Sequence, residues 1–372
     1  MRIGVIAAEL EGRRTGVGRY LEGMLGGLQS WDHGAEWHLF FQGDRSTGVV
    51  ADDPWLVPHF SEHHGSRVVW EQLRLPRELA RYRLDLVFGP AYTLPFGLRV
   101  PAVVALHDLS FELLPDEFGP RERWRRRLLA RRAARVARRV LTDTAHMAGL
   151  VRAHYKVPAG RIGTVPLGVE AERFSPQPGA GDGPTLARLG VRRPYLLWVG
   201  TVLERRRPRE VLEAFSKLRA GRPELQLVIA GANRLRSPEQ LHAWVEELAL
   251  GPHILELGWV DEPALAPLYR GAELGFYLSR HEGFGIPPLE CLACGTPVVV
   301  SPGLGLDEIW PDYPLRCAAD SADEIAEMAR QVLAEPGWAV RRLSEAPRII
   351  GGLDWESSSR RLVAELRRAV AA

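Results

Sequence analysis

The chain has 372 residues, of which 46% are hydrophobic and 25% are charged, and its formal net charge is +2. This length suits two domains of ordinary size, and the small net charge argues against attraction of the whole molecule to nucleic acid. Three cysteines fit a reducing compartment, and the sequence shows neither a bilayer-spanning apolar run nor a signal peptide, so we expect a cytoplasmic protein.

The first predicted strand covers residues 2–8 and leads into a glycine loop and a helix. Apolar residues of this helix recur at helical spacing, at Tyr20, Leu21, Met24, Leu25 and Leu28. Gly16, Val17 and Gly18 lie where the strand meets the helix, so a phosphate could rest there, although glycine also serves tight turns without a ligand. A dinucleotide fingerprint would need a third glycine at Leu21, which counts against a dehydrogenase.

A histidine follows one of the next predicted strands. Strands are predicted at residues 37–41, 84–88 and 100–106, with a helix at 69–81. His107 comes directly after the last of these strands, so it could contact a ligand at the carboxyl edge of a parallel sheet. A structural histidine bonded to backbone is the alternative.

Residues 121–139 contain ten arginines and one glutamate. An apolar stripe runs through this segment, formed by Trp124, Leu128, Leu129, Val136 and Val140. The pattern predicts an amphipathic helix with a very basic face. Such a face is often only solvated, but it could also meet a phosphate-linked acceptor or the anionic inner surface of a membrane.

A domain boundary is predicted in the middle of the chain. Strands are predicted at residues 140–142 and 165–169, and the segment SPQPGAGDGP at 175–184 has the composition of a linker. An apolar strand at 195–199 follows. We therefore place the boundary between residues 174 and 194.

The second domain begins with a basic loop after that strand. Arg205, Arg206 and Arg207 precede a helix through Leu212 and Phe215, and guanidinium groups bind phosphate oxygens in pairs, so a diphosphate suits them. Ordinary exposed arginines are the alternative. Strands at 225–230 and 254–257 then alternate with helices at 238–248 and 263–271, which predicts a second parallel sheet.

Residues 272–301 read as strand, glycine loop, helix and strand. The loop residues Gly283, Phe284, Gly285 and Ile286 leave the backbone open to an anion at the start of the helix. Glu282 and Glu290 bracket this loop, so both carboxylates could face one ligand. Two solvated glutamates are the alternative. Cys291 and Cys294 form C-x-x-C, but without a second pair we expect buried structural thiols rather than a metal site.

Several motifs resemble those of the retaining glycosyltransferases of family 4. In the first half these are T-G-V-G-R-Y at 15–20, His107-Asp108-Leu109, and TVPLGVEAERF at 164–174, where Leu167 replaces the usual asparagine. In the second half, V-G-T-V-L-E-R-R-R at 199–207 resembles V-G-T-L-E-P-R-K-N. Its basic pair falls on Arg205 and Arg206 or on Arg206 and Arg207, depending on the register.

The family signature E-x7-E is matched by Glu282 and Glu290, with G-F-G between them and G-T-P-V-V after them. Trp355 resembles the tryptophan that precedes the last helix of these enzymes. Together these motifs span most of the chain.

The resemblance implies the α/β fold called GT-B, in which two Rossmann-like, doubly wound parallel-sheet domains face each other across a cleft. It implies an acceptor-binding domain at residues 1–175, on which a C-terminal helix at about 356–372 packs back, and a donor-binding domain at 190–355. The implied activity is retaining, metal-independent transfer of a hexose from a nucleoside-diphosphate sugar to a hydroxyl of a glycan, glycolipid or small-molecule acceptor. GDP-mannose is the first expected donor, with other nucleoside-diphosphate hexoses as close alternatives, and no cofactor is expected.

The resemblance also assigns roles to residues. His107 contacts the transferred sugar, Glu282 orients it, and Arg206 stabilises the departing diphosphate, so these three are the expected catalytic residues. The expected donor-binding residues are Gly16, Val17, Gly18, Arg205, Arg206, Arg207, Glu282, Gly283, Phe284, Gly285, Ile286 and Glu290.

Two other functions stay open from the sequence alone. An epimerase or phosphorylase acting on nucleotide sugars could use the same fold, since a fold does not fix a function. A non-enzymatic protein could bind polyanions through residues 121–139. The same segment could also make peripheral contact with an anionic membrane, at its inner face.

Overall fold

The computed structural model describes residues 1–13, 15–44, 53–303, 305–318, 320–335 and 337–371. Arg14 and Ala372, which fall in the predicted glycine loop and the predicted last helix, lie outside the described residues. The chain forms two compact units, Met1–Gly168 with Leu353–Ala372, and Val169–Gly352. Each unit has its own parallel sheet, which confirms the predicted α/β class with two doubly wound domains.

The N-terminal unit is built on seven parallel strands in the order β3-β2-β1-β4-β5-β6-β7. The strands are β1 Arg2–Ile6, β2 Glu36–Phe41, β3 Leu56–Phe60, β4 Leu86–Gly89, β5 Ala102–Ala105, β6 Arg139–Thr142 and β7 Ile162–Thr164. The strand order reverses between β1 and β4. Ligands of open α/β sheets bind at such a switch point, outside the carboxyl ends of the strands.

Helices connect these strands. They are α1 Gly16–Leu28, α2 Arg67–Val69 and α3 Leu75–Leu79, which a π-helical turn Trp70–Arg74 joins, then α4 Ser110–Leu113, α5 Pro120–Val136 and α6 Ala145–Tyr155. The buried core between helices and sheet is formed mainly by aliphatic side chains of the strands, together with alanines of α5.

The C-terminal unit has five parallel strands in the order β10-β9-β8-β11-β12. They are β8 Tyr195–Val199, β9 Gln226–Ala230, β10 Ile254–Gly258, β11 Leu274–Tyr277 and β12 Val298–Val300. The helices are α7 Asp182–Arg188, α8 Pro208–Arg219, α9 Glu239–Glu247, α10 Glu262–Gly271, α11 Ile286–Ala293, α12 Leu306–Ile309, α13 Ala322–Ala334, α14 Trp338–Arg342 and α15 Ala346–Gly351. Here the strand order reverses between β8 and β11.

The last helix, α16 Trp355–Ala371, belongs to the N-terminal unit and packs on α1. The contact is close because α1 presents glycines to it. A Cβ on Gly23 would lie 2.3 Å from Cε2 of Trp355, and one on Gly27 would lie 2.2 Å from the Trp355 carbonyl oxygen. Only glycine at these positions leaves room for the tryptophan and its backbone.

Two sequence interpretations of the middle of the chain need correction. Residues 165–169 are not a strand: the strand lies earlier, at β7, and the apolar residues Val165, Leu167 and Val169 are buried outside any sheet. Gly168, within this segment, packs closely on the start of the last helix, because a Cβ there would lie 2.5 Å from the Trp355 nitrogen. The predicted linker also contains structure, since α7 begins within it and Arg270 binds Asp182 at 2.7 Å.

The basic helix forms as α5, but its apolar stripe is not the face that packs. Trp124, Leu128 and Val136 are 67%, 49% and 50% exposed. The helix instead buries Ala130, Ala133 and Ala134, whose small side chains let it approach the sheet closely. Within the described part of the chain, no helix is both long and apolar enough to cross a bilayer.

Candidate functional site

The carboxyl ends of β8 and β11 bring two of the predicted motifs together in the C-terminal unit. These strands are parallel neighbours, with Leu196 paired to Leu274 and Trp198 to Phe276. The arginine loop follows β8, and the glutamate and glycine loop follows β11. The two loops therefore meet at the point where the strand order reverses.

A tight turn after β8 positions the arginines. Gly200 has φ of +117°, a conformation that L-residues with side chains rarely adopt, and a Cβ there would lie 2.3 Å from Nη1 of Arg206. Glu204–Arg206 then form one turn of 3-10 helix, and Arg207 has φ of +59° before α8 begins at Pro208. Gly200 thus makes the space that the Arg206 guanidinium fills.

Arg206 is held on all sides by groups of this unit. Its Nε and Nη2 lie 3.2 and 3.1 Å from Oε2 of Glu282, its Nη1 donates to the Thr201 carbonyl at 3.2 Å, and its Nη2 contacts the Tyr277 hydroxyl at 3.1 Å. The guanidinium also stacks 5.0 Å from the Tyr277 ring centroid. Burial, more than any charge, raises the pKa of Tyr277, so its hydroxyl stays protonated.

The other two arginines face different partners. Arg205 lies on the same side as Arg206, with Nη2 3.8 Å from Oε1 of Glu282. Arg207 binds Glu210 at 3.2 Å and also Asp320. Arg205 and Arg206 therefore share Glu282, whereas Arg207 does not. No observation tests the predicted donor contact of Arg207. Because Arg207 pairs with Glu210 and Asp320, we expect it to contribute less to donor binding than Arg206.

The glycine loop leads into α11 as the sequence indicates. Gly285 has φ of +87° and precedes Ile286, the first helical residue. Pro287 and Pro288 have no N–H, so an anion at this helix end would bind mainly N–H groups of residues 283–286. A Cβ on Gly305 would lie 2.6 Å from the Phe284 carbonyl oxygen, so the loop is packed against a second close backbone segment.

Glu290 lies in the second turn of α11 and is 1% exposed. The hydroxyl of Tyr269 on α10 donates a hydrogen bond to its Oε2 at 2.8 Å. The nearby Cys291 and Cys294 are buried free thiols, and burial raises the pKa of both. The expected burial of these cysteines is therefore confirmed, whereas the donor contact of Glu290 stays a prediction.

In the N-terminal unit, Gly16, Val17 and Gly18 form the first turn of α1. The Thr15 side chain caps this turn by accepting a hydrogen bond from the Gly18 N–H at 3.4 Å. The open space around Gly16, where a Cβ would meet nothing within 4 Å, shows that steric crowding does not require glycine there. A role for the N–H groups of this turn in phosphate binding remains a prediction.

His107 follows β5, as predicted, and both of its ring nitrogens face acceptors. Nδ1 lies 2.9 Å from each oxygen of Asp143, and Nε2 donates to the Pro90 carbonyl at 2.7 Å. The Tyr20 ring packs edge-on, 4.5 Å away. Burial alone lowers the pKa of His107, but the Asp143 charge and these hydrogen bonds outweigh it, so the pKa is raised above 6.5. The arrangement favours a doubly protonated, positively charged ring.

Two protein-family models match the chain. The model of Glycosyltransferase Family 4 matches residues 14–173, and that of Glycosyl transferases group 1 matches residues 188–348, so together they cover most of both units. The chain belongs to glycosyltransferase family 4.

Known proteins resemble this family 4 glycosyltransferase over most of its length. O-antigen chain mannosyltransferase B of Escherichia coli is 28% identical over 297 residues, which are 79% of this chain and 75% of that protein. D-inositol 3-phosphate glycosyltransferase of Geodermatophilus obscurus is 33% identical over 245 residues, 61% of this chain, and the match spans only 52% of that protein.

A solved structure shares the fold of the whole chain. Sucrose-phosphate synthase from Thermosynechococcus elongatus matches with a TM-score of 0.78 at 20% identity, covering 100% of this glycosyltransferase and 99% of that chain. At this identity the likeness establishes the fold and no more. It confirms the predicted GT-B architecture.

Sequence reasoning missed three residues of the glycosyltransferase that contact predicted site residues. Asp143 pairs with His107, Tyr277 with Arg206, and Tyr269 with Glu290. Asp143 follows β6, the neighbour of β5, so the rule that parallel strands end at one edge could have placed it beside His107. The tyrosines gave no comparable signal, because an aromatic residue in a strand or helix usually indicates only core packing.

Proposed function

We propose that this glycosyltransferase moves a hexose from a nucleoside-diphosphate sugar to an acceptor hydroxyl, with retention of anomeric configuration and without a metal ion. The contact between Arg206 and Glu282 carries the proposal. It joins a cation suited to a diphosphate with a carboxylate suited to sugar hydroxyls, at the switch point where open α/β sheets bind ligands. The C-terminal unit is accordingly the proposed donor-binding domain and the N-terminal unit the proposed acceptor-binding domain.

In the proposed reaction, the acceptor hydroxyl attacks the anomeric carbon on the face from which the diphosphate departs. The C–O bond to the diphosphate breaks, and the departing phosphate oxygen takes the proton of the hydroxyl. Arg205, Arg206 and the N–H groups of residues 283–286 stabilise the charge that develops on the leaving group. These fixed donors supply the positive charge for which a metal ion would otherwise be needed.

The two acidic residues and His107 have separate proposed roles. Glu282 binds sugar hydroxyls and holds Arg206 in place, since both Nε and Nη2 of that arginine contact one of its oxygens. Glu290 is proposed to bind the ribose hydroxyls, which would then compete with its bond from Tyr269. His107 is proposed to contact the transferred sugar as a cation.

GDP-mannose is the donor that we propose. The support is the name of one relative, O-antigen chain mannosyltransferase B, together with the G-T-x-x-E-x-R motif region. The acceptor class stays broad, a glycan, glycolipid or small molecule, because another relative is named for inositol phosphate.

The test is a thermal-shift screen of nucleoside-diphosphate sugars followed by product analysis. A donor present at about 100 times its dissociation constant stabilises the folded protein by roughly 2.7 kcal/mol. We expect GDP-mannose to give the largest shift, transfer to continue in EDTA, and NMR to show the donor's anomeric configuration in the product. An epimerised sugar still joined to its nucleotide, or an inverted product, would contradict the proposal.

The anionic inner face of a membrane is a further proposed partner, contacted by residues 121–139. The support is charge: residues 121–139 hold ten arginines against one glutamate. Each arginine or lysine near such a surface adds about 1 kcal/mol of attraction, which salt screens.

A further inference from the structure

The apolar residues of α5 form one continuous exposed face. Trp124, Leu128, Arg132 and Val136 are four residues apart, so their side chains follow one side of the helix. Arg132 also fixes Phe96 to this side: its guanidinium lies 3.9 Å from the Phe96 ring centroid and donates to the Leu94 carbonyl at 2.8 Å. Phe96 is itself 45% exposed. We name Phe96, Trp124, Leu128 and Val136 the α5 face.

The α5 face is exposed because the helix packs on the core through its opposite side. Its opposite side is fully buried through Ala130, Ala133 and Ala134, so the helix cannot rotate to bury the tryptophan without exposing that core contact. Large apolar side chains grouped on an exposed protein surface mark a binding site.

The arginines around the α5 face fall into two groups. Some are neutralised by acidic groups: Arg127 and Arg131 both bind Glu112, at 2.7 and 3.1 Å, and Arg126 binds Glu122. Within the described residues, Arg121, Arg125 and Arg135 have no such acidic partner. Unneutralised cations therefore surround exposed apolar side chains.

We propose that the α5 face inserts its apolar side chains into the interface of an anionic bilayer, while the surrounding arginines bind lipid phosphates. This inference rests on the proposed membrane contact and adds its mode: insertion rather than charge attraction alone. Helices that lie in a membrane interface bury Trp, Phe or Leu on one side and present basic residues to the headgroups. A second copy of the chain fits less well, since a symmetric interface would bring the same arginines together.

The test is cosedimentation of the full chain with vesicles, using matched double variants. The vesicles are either pure phosphatidylcholine or equal parts of phosphatidylcholine and phosphatidylglycerol. The test variant is Trp124→Ala with Leu128→Ala. Its control is Val69→Ala with Leu73→Ala, a pair with the same spacing and exposures of 48% and 59% on another helical segment of the same unit.

We expect the wild type to bind anionic vesicles and to bind neutral ones far more weakly. The α5 variant should weaken binding about tenfold or more, because each apolar side chain loses part of its burial, whereas the control should bind like the wild type. Arg121→Gln with Arg125→Gln should weaken binding roughly 25-fold, and the exposed pair Arg81→Gln with Arg83→Gln should have little effect.

Equal binding of the α5 variant and its control would overturn insertion, as would failure of the wild type to bind anionic vesicles. A dimer in solution that the α5 variant dissociates would assign the face to a second copy instead. Every variant is also tested for the thermal shift with GDP-mannose. Loss of that shift in a variant would show an effect on donor binding. If the wild type binds vesicles but shows no shift with GDP-mannose, the proposed function is contradicted and the membrane insertion is not.

Discussion

At the scale of single residues, the pair of His107 and Asp143 shows how a buried charge is kept. The carboxylate faces Nδ1 with both oxygens, and the Pro90 carbonyl accepts from Nε2, so the protonated ring has an acceptor for each N–H. Buried ion pairs lose much of their stabilisation to desolvation, but removing one partner is costly because the other charge is left alone. Asp143 thereby determines the protonation and the orientation of His107.

Replacing Asp143 should change the titration of His107. Because the pKa of His107 is raised in the folded protein, the pair stabilises fully below pH 6.5, and this stabilisation is lost as the pH rises through the folded-state pKa. We expect Asp143→Asn to lower the pKa of His107, measured by NMR, and to reduce the free energy of unfolding by about 3 kcal/mol near pH 6.

The same substitution should matter less at alkaline pH, where His107 is neutral in both proteins. His107→Gln provides the control. If Asp143→Asn destabilises equally in the presence and in the absence of the histidine, the pairing does not have the assigned role.

The arginine loop marks a limit of sequence reasoning at this scale. The motif could not decide whether the basic pair was Arg205 and Arg206 or Arg206 and Arg207. In the structure, one turn of 3-10 helix and the left-handed Arg207 direct the first two side chains to Glu282 and the third to Glu210. Residue spacing alone does not contain this backbone geometry.

At the scale of elements, the contact of α1 with α16 depends on individual glycines of one helix. Gly26 and Gly27 are neighbours, yet a Cβ on Gly26 would meet nothing within 4 Å, whereas one on Gly27 would lie 2.2 Å from the Trp355 carbonyl oxygen. The backbone oxygen cannot move aside as a flexible side chain would. The two positions therefore form a matched pair.

We expect Gly27→Ala to reduce the free energy of unfolding by about 2 kcal/mol or more, through displacement of α16. Gly26→Ala should instead stabilise by roughly 0.5 to 1 kcal/mol, because alanine is the better helix former. Urea unfolding of both variants measures this. Similar effects of the two substitutions would show that the glycine contact does not hold the last helix.

A second element, the edge of the N-terminal sheet, should respond to pH. His38 on β2 and His59 on β3 stack with Nδ1 and Nε2 2.9 Å apart. Burial above all, and then the charge of His38, lowers the pKa of His59 to about 4, against the weaker opposing effect of Glu78 and Glu36. The ring is therefore neutral in the folded protein at pH values where the unfolded chain is protonated.

Stability from this pair is present above pH 6.5 and is lost as the pH falls toward 4, because the unfolded state then binds the additional proton. We expect His59→Gln, which stays neutral and can still hydrogen bond, to reduce this loss by about 1 kcal/mol, a value discounted for partial exposure. Urea unfolding at pH 7 and pH 5 tests it. An unchanged loss in the variant would contradict the assignment.

The α5 helix shows why some elements could be located but not oriented. Its length, its arginines and its stripe were visible in the sequence, but periodicity cannot tell which face packs. The face that packs is that of Ala130, Ala133 and Ala134, because these small side chains allow a closer approach to the core than tryptophan would. The short strand β3 was missed for another reason, since its Pro58 and His59 weaken the apolar pattern.

At the scale of the whole molecule, the alternation of strands and helices was enough to predict two parallel sheets, and the motifs were enough to predict the family. Segments whose burial depends on distant residues were less predictable. Val165 and Leu167 are buried outside any sheet, beside a backbone segment that packs on Trp355, almost 200 positions later in the chain. In the sequence, a segment that is buried by such long-range contacts shows the same apolar pattern as a strand.

The central claim is that the diphosphate of a nucleotide sugar binds Arg206 beside Glu282 in the C-terminal unit. Isothermal titration of GDP-mannose into wild type, Arg206→Ala and Arg207→Ala tests it, because the two variants remove equal charge from adjacent positions. We predict that Arg206→Ala weakens binding about 100-fold, as loss of a paired charge contact implies, while Arg207→Ala changes it less than fivefold. Equal affinities of the two variants, or undiminished affinity of Arg206→Ala, would contradict the account.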